Sequence, residues 1–301
     1  MGLQAFAGVF SRYFVVGFFL PAFFALVALS QLLDNGTLPS GYRAESGGTQ
    51  ILILGGLALL IGLLLSGLHY LVLRLFEGYP LSQLAERDGR WGKVHEWAIS
   101  RWRRELEETR KRLEGPASPR RTGAAITLQT SFPPEEQELL PTRFGNIIRA
   151  FERHPNLRYG LDGLAAWPRM SALMNDSELA DLSDRQADVA FFINGALVAG
   201  LTALAVAIDG LVHMCLGELF AAPTALLVSF ALYFGALNAA KRWGSAVRSA
   251  FDLHRGELYT KLGVKLPLTD AEERRLAKRV NRMLLYAEPI PDAYREWSKE
   301  A

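Results

Sequence analysis

The side chains in this sequence best suited to chemistry are arginines, and the chemistry is recognition of anions. Arg149 and Arg153 stand one helical turn apart, and Arg158 and Arg169 follow closely. A guanidinium presents a planar fork of donors that matches phosphate or carboxylate oxygens. Tyr159 and Trp167 lie among these arginines and offer ring faces on which bases stack. Together they suit a short single-stranded polyanion. The competing use is internal ion pairing, because Glu152 and Asp162 lie within the same stretch. Residues 122–188 carry six basic and ten acidic side chains, so an anion site here must be local.

Catalysis finds no comparable support. The five histidines (His69, His95, His154, His213 and His254) show no ligand spacing. The single cysteine, Cys215, excludes an internal disulfide and a multi-cysteine metal site. No GxxxxGK, HExxH, GxSxG or CxxC sequence occurs. No metal or cofactor is expected, and the chain reads as a non-enzyme. With 33 basic and 31 acidic residues, the net charge of +2 specifies no partner.

The elements that must position the arginines are dominated by four apolar blocks, at 13–33, 51–73, 189–208 and 219–240. Each is nearly free of charge and long enough to cross a bilayer core as a helix, where every backbone group must be satisfied internally. The fold class expected is an all-α membrane protein with four transmembrane helices and a mostly helical cytoplasmic domain. Orientation follows from the bias of Lys and Arg towards cytoplasmic flanks. The 34–50 loop holds one basic residue and the 209–218 loop none, against 17 in 77–188 and 13 from 241 onward. Both termini are therefore expected on the cytoplasmic side of a bacterial inner membrane. The first residues do not read as a signal peptide, since their basic content is Arg12 alone and the apolar run is too long.

The implied domains are 1–76 (an N-terminal segment with spans one and two), 77–188 (cytoplasmic), 189–240 (spans three and four) and 241–301 (a helical tail). Small residues recur every fourth position at Gly195, Ala199, Ala203 and Ala207, at Ala221, Ala225 and Ser229, and at Gly62 and Ser66. Such seams let helices approach closely, within the chain or between chains. His69, Asn194 and Asn238 share one depth near the cytoplasmic ends of their spans. They suit interhelical hydrogen bonds or a wet vestibule. No charge is expected in mid-membrane, which argues against an ion-coupled pump. Phe10, Phe14 and Phe18 recur at i, i+4 and i+8, and Leu3 and Phe6 extend the stripe. Such a stripe either faces lipid or forms a constriction that closes a pore by dewetting.

Between spans two and three, Tyr79-Pro80 breaks the second helix. Val94, Trp97, Ala98, Trp102, Leu106 and Leu113 then define a basic amphipathic helix, suited to anionic lipid or to packing in the domain. A linker is expected at 115–123, a short strand at 125–132, and helix from Pro134 through Arg153. Ser177 is the expected cap of the helix entering span three, 245–262 continues span four, and Thr269-x-x-Glu272 begins a last helix to about Tyr286.

The stretch Thr142-x-x-Gly145-Asn146-x-x-Arg149-Ala150-x-Glu152, then Arg158-Tyr159-Gly160-x-Asp162, then Trp167-Pro168-Arg169 resembles a family of uncharacterised bacterial four-span proteins. The likeness covers about 30 residues and the layout of spans. The layout also resembles the membrane effectors of Hailong-type antiphage systems. That resemblance implies a homo-oligomeric, tetrameric anion channel held shut by short DNA oligomers from a partner nucleotidyltransferase. A non-conducting membrane scaffold or sensor, recruiting partners through 77–188, is the alternative.

Overall fold

The computed structural model describes residues 11–32, 42, 45–114, 116–214 and 216–295. It is 84% helical, with no strand among the described residues. The helices are α1 (Arg12–Leu32), α2 (Gly47–Gly67), α3 (His69–Glu77), α4 (Tyr79–Arg87), α5 (Gly89–Leu113) and α6 (Pro119–Ser131). They continue with α7 (Arg143–Glu152), α8 (His154–Tyr159), α9 (Gly163–Ser171), α10 (Asp176–Val212), α11 (Leu216–Lys261) and α12 (Asp270–Tyr286). Contacts divide the chain into two units: Met1–Phe76 with Ser183–Ala240, and Glu77–Leu182 with Lys241–Ala301.

The first unit contains the four apolar blocks. Helices α1, α2, α10 and α11 are each long and apolar enough to cross a membrane. Their surface is inverted relative to a water-soluble bundle. Leu52, Leu60 and Leu64 on α2, Leu201 and Leu204 on α10, and Leu227 and Phe230 on α11 are exposed, while Asn194 is wholly buried. Apolar groups outside and the Asn194 amide inside is the arrangement that a hydrocarbon solvent favours.

Close approach within this unit is bought with small residues. The space that a Cβ on Gly17 would need lies 2.9 Å from the Ala190 Cβ, and a Cβ on Gly62 would lie 3.3 Å from the Phe19 backbone. Ser229 donates its hydroxyl to the Ala196 carbonyl at 2.7 Å, tying α11 to α10. Phe14 and Phe18, expected from sequence to face lipid or an axis, are instead buried with Ala22, Ala58, Leu65 and Ala190. Spaced i and i+4, the two rings share one face of α1, and that face packs on α2 and α10; Val15–Phe19 within it is a π-helical turn.

The second unit departs from the sequence reading at several points. The 125–132 strand is absent, and α6 occupies 119–131 and shortens the linker. Ser118 caps it by accepting from the Arg121 N–H, Pro119 opens it, and Thr127 and Thr130 return their hydroxyls to carbonyls four residues back. Helix does not begin at Pro134. A 3-10 turn at Glu136–Glu138 and extended backbone at Leu139 precede α7, because Asn146 bonds the Leu140 backbone and holds it open. The cap of α10 is Asn175, whose Oδ1 accepts from the Glu178 N–H and the Ser177 hydroxyl, so Ser177 is a bonding partner rather than the cap.

On α5 the buried face is Ala98, Ile99, Trp102, Leu106 and Thr109, whereas Val94 and Trp97 are exposed. Ile99, Trp102 and Leu106 close on Phe132 and Leu139, and the Trp102 indole donates to the Pro141 carbonyl at 2.8 Å. The final helix matches expectation at both ends. Thr269 accepts from the Glu272 N–H, and the Glu272 carboxylate reaches back to Leu268 N–H.

Candidate functional site

Thr142 initiates the motif stretch by capping α7, its hydroxyl accepting from Gly145 N–H at 3.0 Å. Gly145 faces the Glu77 carbonyl and the Leu140 side chain so closely that no Cβ fits. Asn146 is fully buried and satisfies the Leu140 backbone twice, donating to its carbonyl at 3.0 Å and accepting from its N–H at 2.7 Å. The first motif thus closes a tight corner between the end of α3 and the start of α7.

Four arginines follow, and the structure places them in different settings. Arg149 donates to the Tyr79 hydroxyl and lies 3.7 Å from the Glu152 carboxylate. Arg153 lies 2.6 Å from Glu138. Arg158 and Arg169 are exposed, the latter donating to the Ala165 carbonyl at 3.3 Å. Arg149 and Arg153 are therefore held by side chains of the same unit, Arg158 hydrogen-bonds the neighbouring Tyr159 while staying exposed, and Arg169 stands outward.

The aromatic pair is likewise divided. Tyr159 is buried, its hydroxyl donates to Asp252 at 2.6 Å, and the Arg255 guanidinium covers its ring at 4.1 Å. Trp167 packs 5.8 Å from Phe251 and keeps partial exposure. Asp252 also meets His154 Nε2 at 2.9 Å. Burial pushes the Tyr159 phenol up, and the Asp252 hydrogen bond adds to it. For Asp252, burial pushes the carboxyl up, but the bonds from His154 and Tyr159 and the nearby Arg255 outweigh it and hold the group below its ordinary value.

The rest of the motif is architectural. Gly160 takes a left-handed conformation (φ 78°) that ends α8. Asn281 of α12 donates to the Gly160 carbonyl at 2.9 Å and accepts from Asp162 N–H at 2.8 Å. Asp162 itself caps α9 through Ala165 N–H.

Sequence reasoning missed an open recess of about 990 Å³ in this unit, lined by Glu105, Glu108, Arg112, Arg120, Thr127 and Arg143. It lies where α5 and α6 meet, and Pro116, Ser118, Arg120 and Gly123 of its lining fall within the stretch read as a linker. The mistaken linker hid it.

In the apolar unit, His69 and Asn194 converge on the π-helical turn and Asn238 does not. The His69 ring stands 5.1 Å from Phe18, and Asn194 Nδ2 donates to the Gly17 carbonyl at 2.8 Å. His69 Nδ1 and Asn194 Oδ1 are buried without hydrogen-bond partners among the described residues. Asn238 is exposed. Asp209, read as a loop residue, is buried on α10 with His213 Nδ1 3.2 Å away. Leu3, Phe6, Phe10 and Cys215 lie outside the described residues.

A second cavity, about 540 Å³ and apolar, opens between α1, α10 and α11. Small residues dominate its walls, among them Ala25, Ala28, Gly195, Ala199, Ala221 and Ala225.

Among the described residues, no group of three or more His, Cys, Asp or Glu side chains is placed to hold a metal. Searched against protein-family models, curated proteins and solved structures, the chain matches none.

Proposed function

We propose that this chain is a homo-oligomeric, channel-type membrane effector of bacterial antiphage defence, closed by an anionic cytoplasmic ligand such as a short DNA oligomer. The supporting observation is the apolar cleft between α1, α10 and α11, which the side chains of the described residues leave unfilled. Two expected small-residue seams contribute Gly195, Ala199, Ala221 and Ala225 to it. Small-walled clefts in lipid suit the close packing of another helix, so the cleft supports assembly of several copies, a tetramer by resemblance.

Phe14 and Phe18 are committed to the interior, which leaves a constriction to Leu3, Phe6 and Phe10. For the ligand, Arg158 and Arg169 supply the outward cations. A ligand closes a gate only through its differential affinity for the closed state.

The deciding measurement is ion flux from liposomes containing the purified chain, with and without short single-stranded DNA. Flux that DNA suppresses supports the proposal, and absence of flux under every ligand condition defeats it. A gene for a nucleotidyltransferase beside this one would favour the same reading. Orientation is tested separately: Cys215 should react with a membrane-impermeant maleimide from outside the cell, whereas labelling only after permeabilisation reverses the topology.

A non-conducting scaffold or sensor is the second reading. It is favoured by the engagement of Arg149 and Arg153 with Tyr79, Glu152 and Glu138, which makes part of the anion face structural.

A further inference from the structure

We infer that the amino-terminal half of α5 rests on the anionic headgroup layer of the bilayer that the apolar helices cross. At 3.6 residues per turn, Arg90, Lys93, Val94, Trp97, Arg101 and Arg104 fall within an arc of about 100°. All six are exposed, and Trp97 is 64% exposed although Trp102, on the buried face, is 9%. No carboxylate of α5 between 89 and 104 falls in this arc. Glu96 points elsewhere and pairs with Arg103, while Asp88, the cap, meets Arg90 at 3.3 Å.

Four cations around an outward tryptophan and valine form the signature of a helix lying in the membrane interface. The indole enters the headgroup boundary, and the basic stems extend towards lipid phosphates. Chain connectivity supplies a second support. From Leu75, just past the second apolar block, to Arg90 the chain is almost wholly helical. At ~1.5 Å per residue this path is on the order of 20–25 Å, so α5 begins within reach of the membrane surface. A second protein copy fits the arc less well, because the centres of subunit interfaces are depleted in charge. The inference rests on the four spans occupying a bilayer and is independent of conduction.

The test uses the full chain with Cys215→Ser and a single Val94→Cys, labelled with an environment-sensitive fluorophore and reconstituted in nanodiscs. Nanodiscs of phosphatidylcholine alone are compared with mixtures containing phosphatidylglycerol, each doped with a lipid quencher in the headgroup region. The expected result is several-fold stronger quenching in the anionic discs. It should weaken at high salt and be lost in a variant with Arg90→Gln, Lys93→Gln, Arg101→Gln and Arg104→Gln. A label at Glu107→Cys, on another exposed face, should stay unquenched. Equal quenching in both lipids would overturn the inference. So would protection of position 94 that appears only with added oligonucleotide, or that persists in detergent and follows protomer number. Those last two outcomes assign the face to nucleic acid and to a second copy.

Discussion

Asn194 of α10 donates its side-chain amide to the main-chain carbonyl of Gly17 on α1, 2.8 Å away. The π-helical turn at Val15–Phe19 displaces the ordinary i to i+4 bonding there, and the amide supplies a donor from a different helix.

Removing that donor is expected to cost stability. Asn194→Leu should lower the unfolding free energy in detergent by about 0.6–2 kcal/mol, the range for interhelical polar contacts in membrane proteins and lost buried bonds. Gly17→Ala should also destabilise, although alanine gains up to about 1 kcal/mol over glycine in an ordinary helix, because its Cβ would meet that of Ala190. Thermal melts of both variants, followed by size exclusion, check this pair. An unchanged midpoint for Asn194→Leu would show that the bond contributes nothing.

Gly145→Ala should be the most damaging small substitution in the polar unit. The added methyl would meet the Glu77 carbonyl and Leu140, and backbone cannot yield as a flexible side chain can. A loss of roughly 2–4 kcal/mol is expected, in the range of severe core overpacking. Limited proteolysis of the intact protein should then cut within 77–182 at lower protease than for the parent.

Asp252 supplies a pH dependence whose sign is fixed. Folding lowers its pKa below the ordinary 3.8, so its stabilisation is present above that unfolded-state value. It is lost as pH falls through the lower folded-state value. Asp252→Ala should therefore cost about 1–2 kcal/mol at neutral pH through its hydrogen bonds to Tyr159 and His154. The difference between parent and variant melting points should hold down to about pH 5 and shrink below about pH 4. A difference that grows on acidification would contradict this.

For the arginines, location predicts different behaviour. Arg158→Ala and Arg169→Ala should leave folding intact and each lower the salt slope of oligonucleotide binding by about 0.7. Arg149→Ala and Arg153→Ala should instead lower the melting point. If all four reduce stability and none alters binding or its salt slope, the face is structural.

The gate prediction concerns residues 3, 6 and 10. Phe6→Ala with Phe10→Ala should leave the chain inserted and oligomeric but constitutively leaky and toxic. Left in water, each ring would forgo about 1.5–3 kcal/mol, so burial on a shared axis or in the interface is required. A variant that assembles normally and conducts no more than the parent assigns the segment to anchoring.

What was legible in the sequence was whatever depends on long averages. Four long, predominantly apolar blocks need no tertiary information, and the Thr269 cap with α12 is a local signal that no packing overrides. Effects that depend on one residue of register were hidden. Period placed Phe14 and Phe18 on one face, but that this face meets Ala58, Leu65 and Ala190 comes from packing, and no periodicity announces the π-helical turn at Val15–Phe19. Val94 and Trp97 matched the helical period of α5, but the core selected the neighbouring arc of Ala98, Ile99 and Trp102. Arg149 and Arg153 looked alike in sequence to Arg158 and Arg169. Their separation rests on Tyr79 and Glu138, whose proximity only folding creates.

The bond between Asn194 and Gly17 joins residues 177 positions apart in the chain, and that separation is also a delay. At synthesis rates of about 5–20 residues per second, some 10–35 s pass between the emergence of the two partners. During that interval the Gly17 carbonyl sits on a helix whose donor has not been made, and α1 and α2 must wait as an incomplete hairpin. Whatever covers that carbonyl meanwhile, water or an insertase, must leave when α10 arrives. The docking of α10 on α1 therefore ends with Asn194 taking its place at Gly17, before α11 packs on α10 through Ser229, and Asn194→Leu should slow or stall that docking during biogenesis.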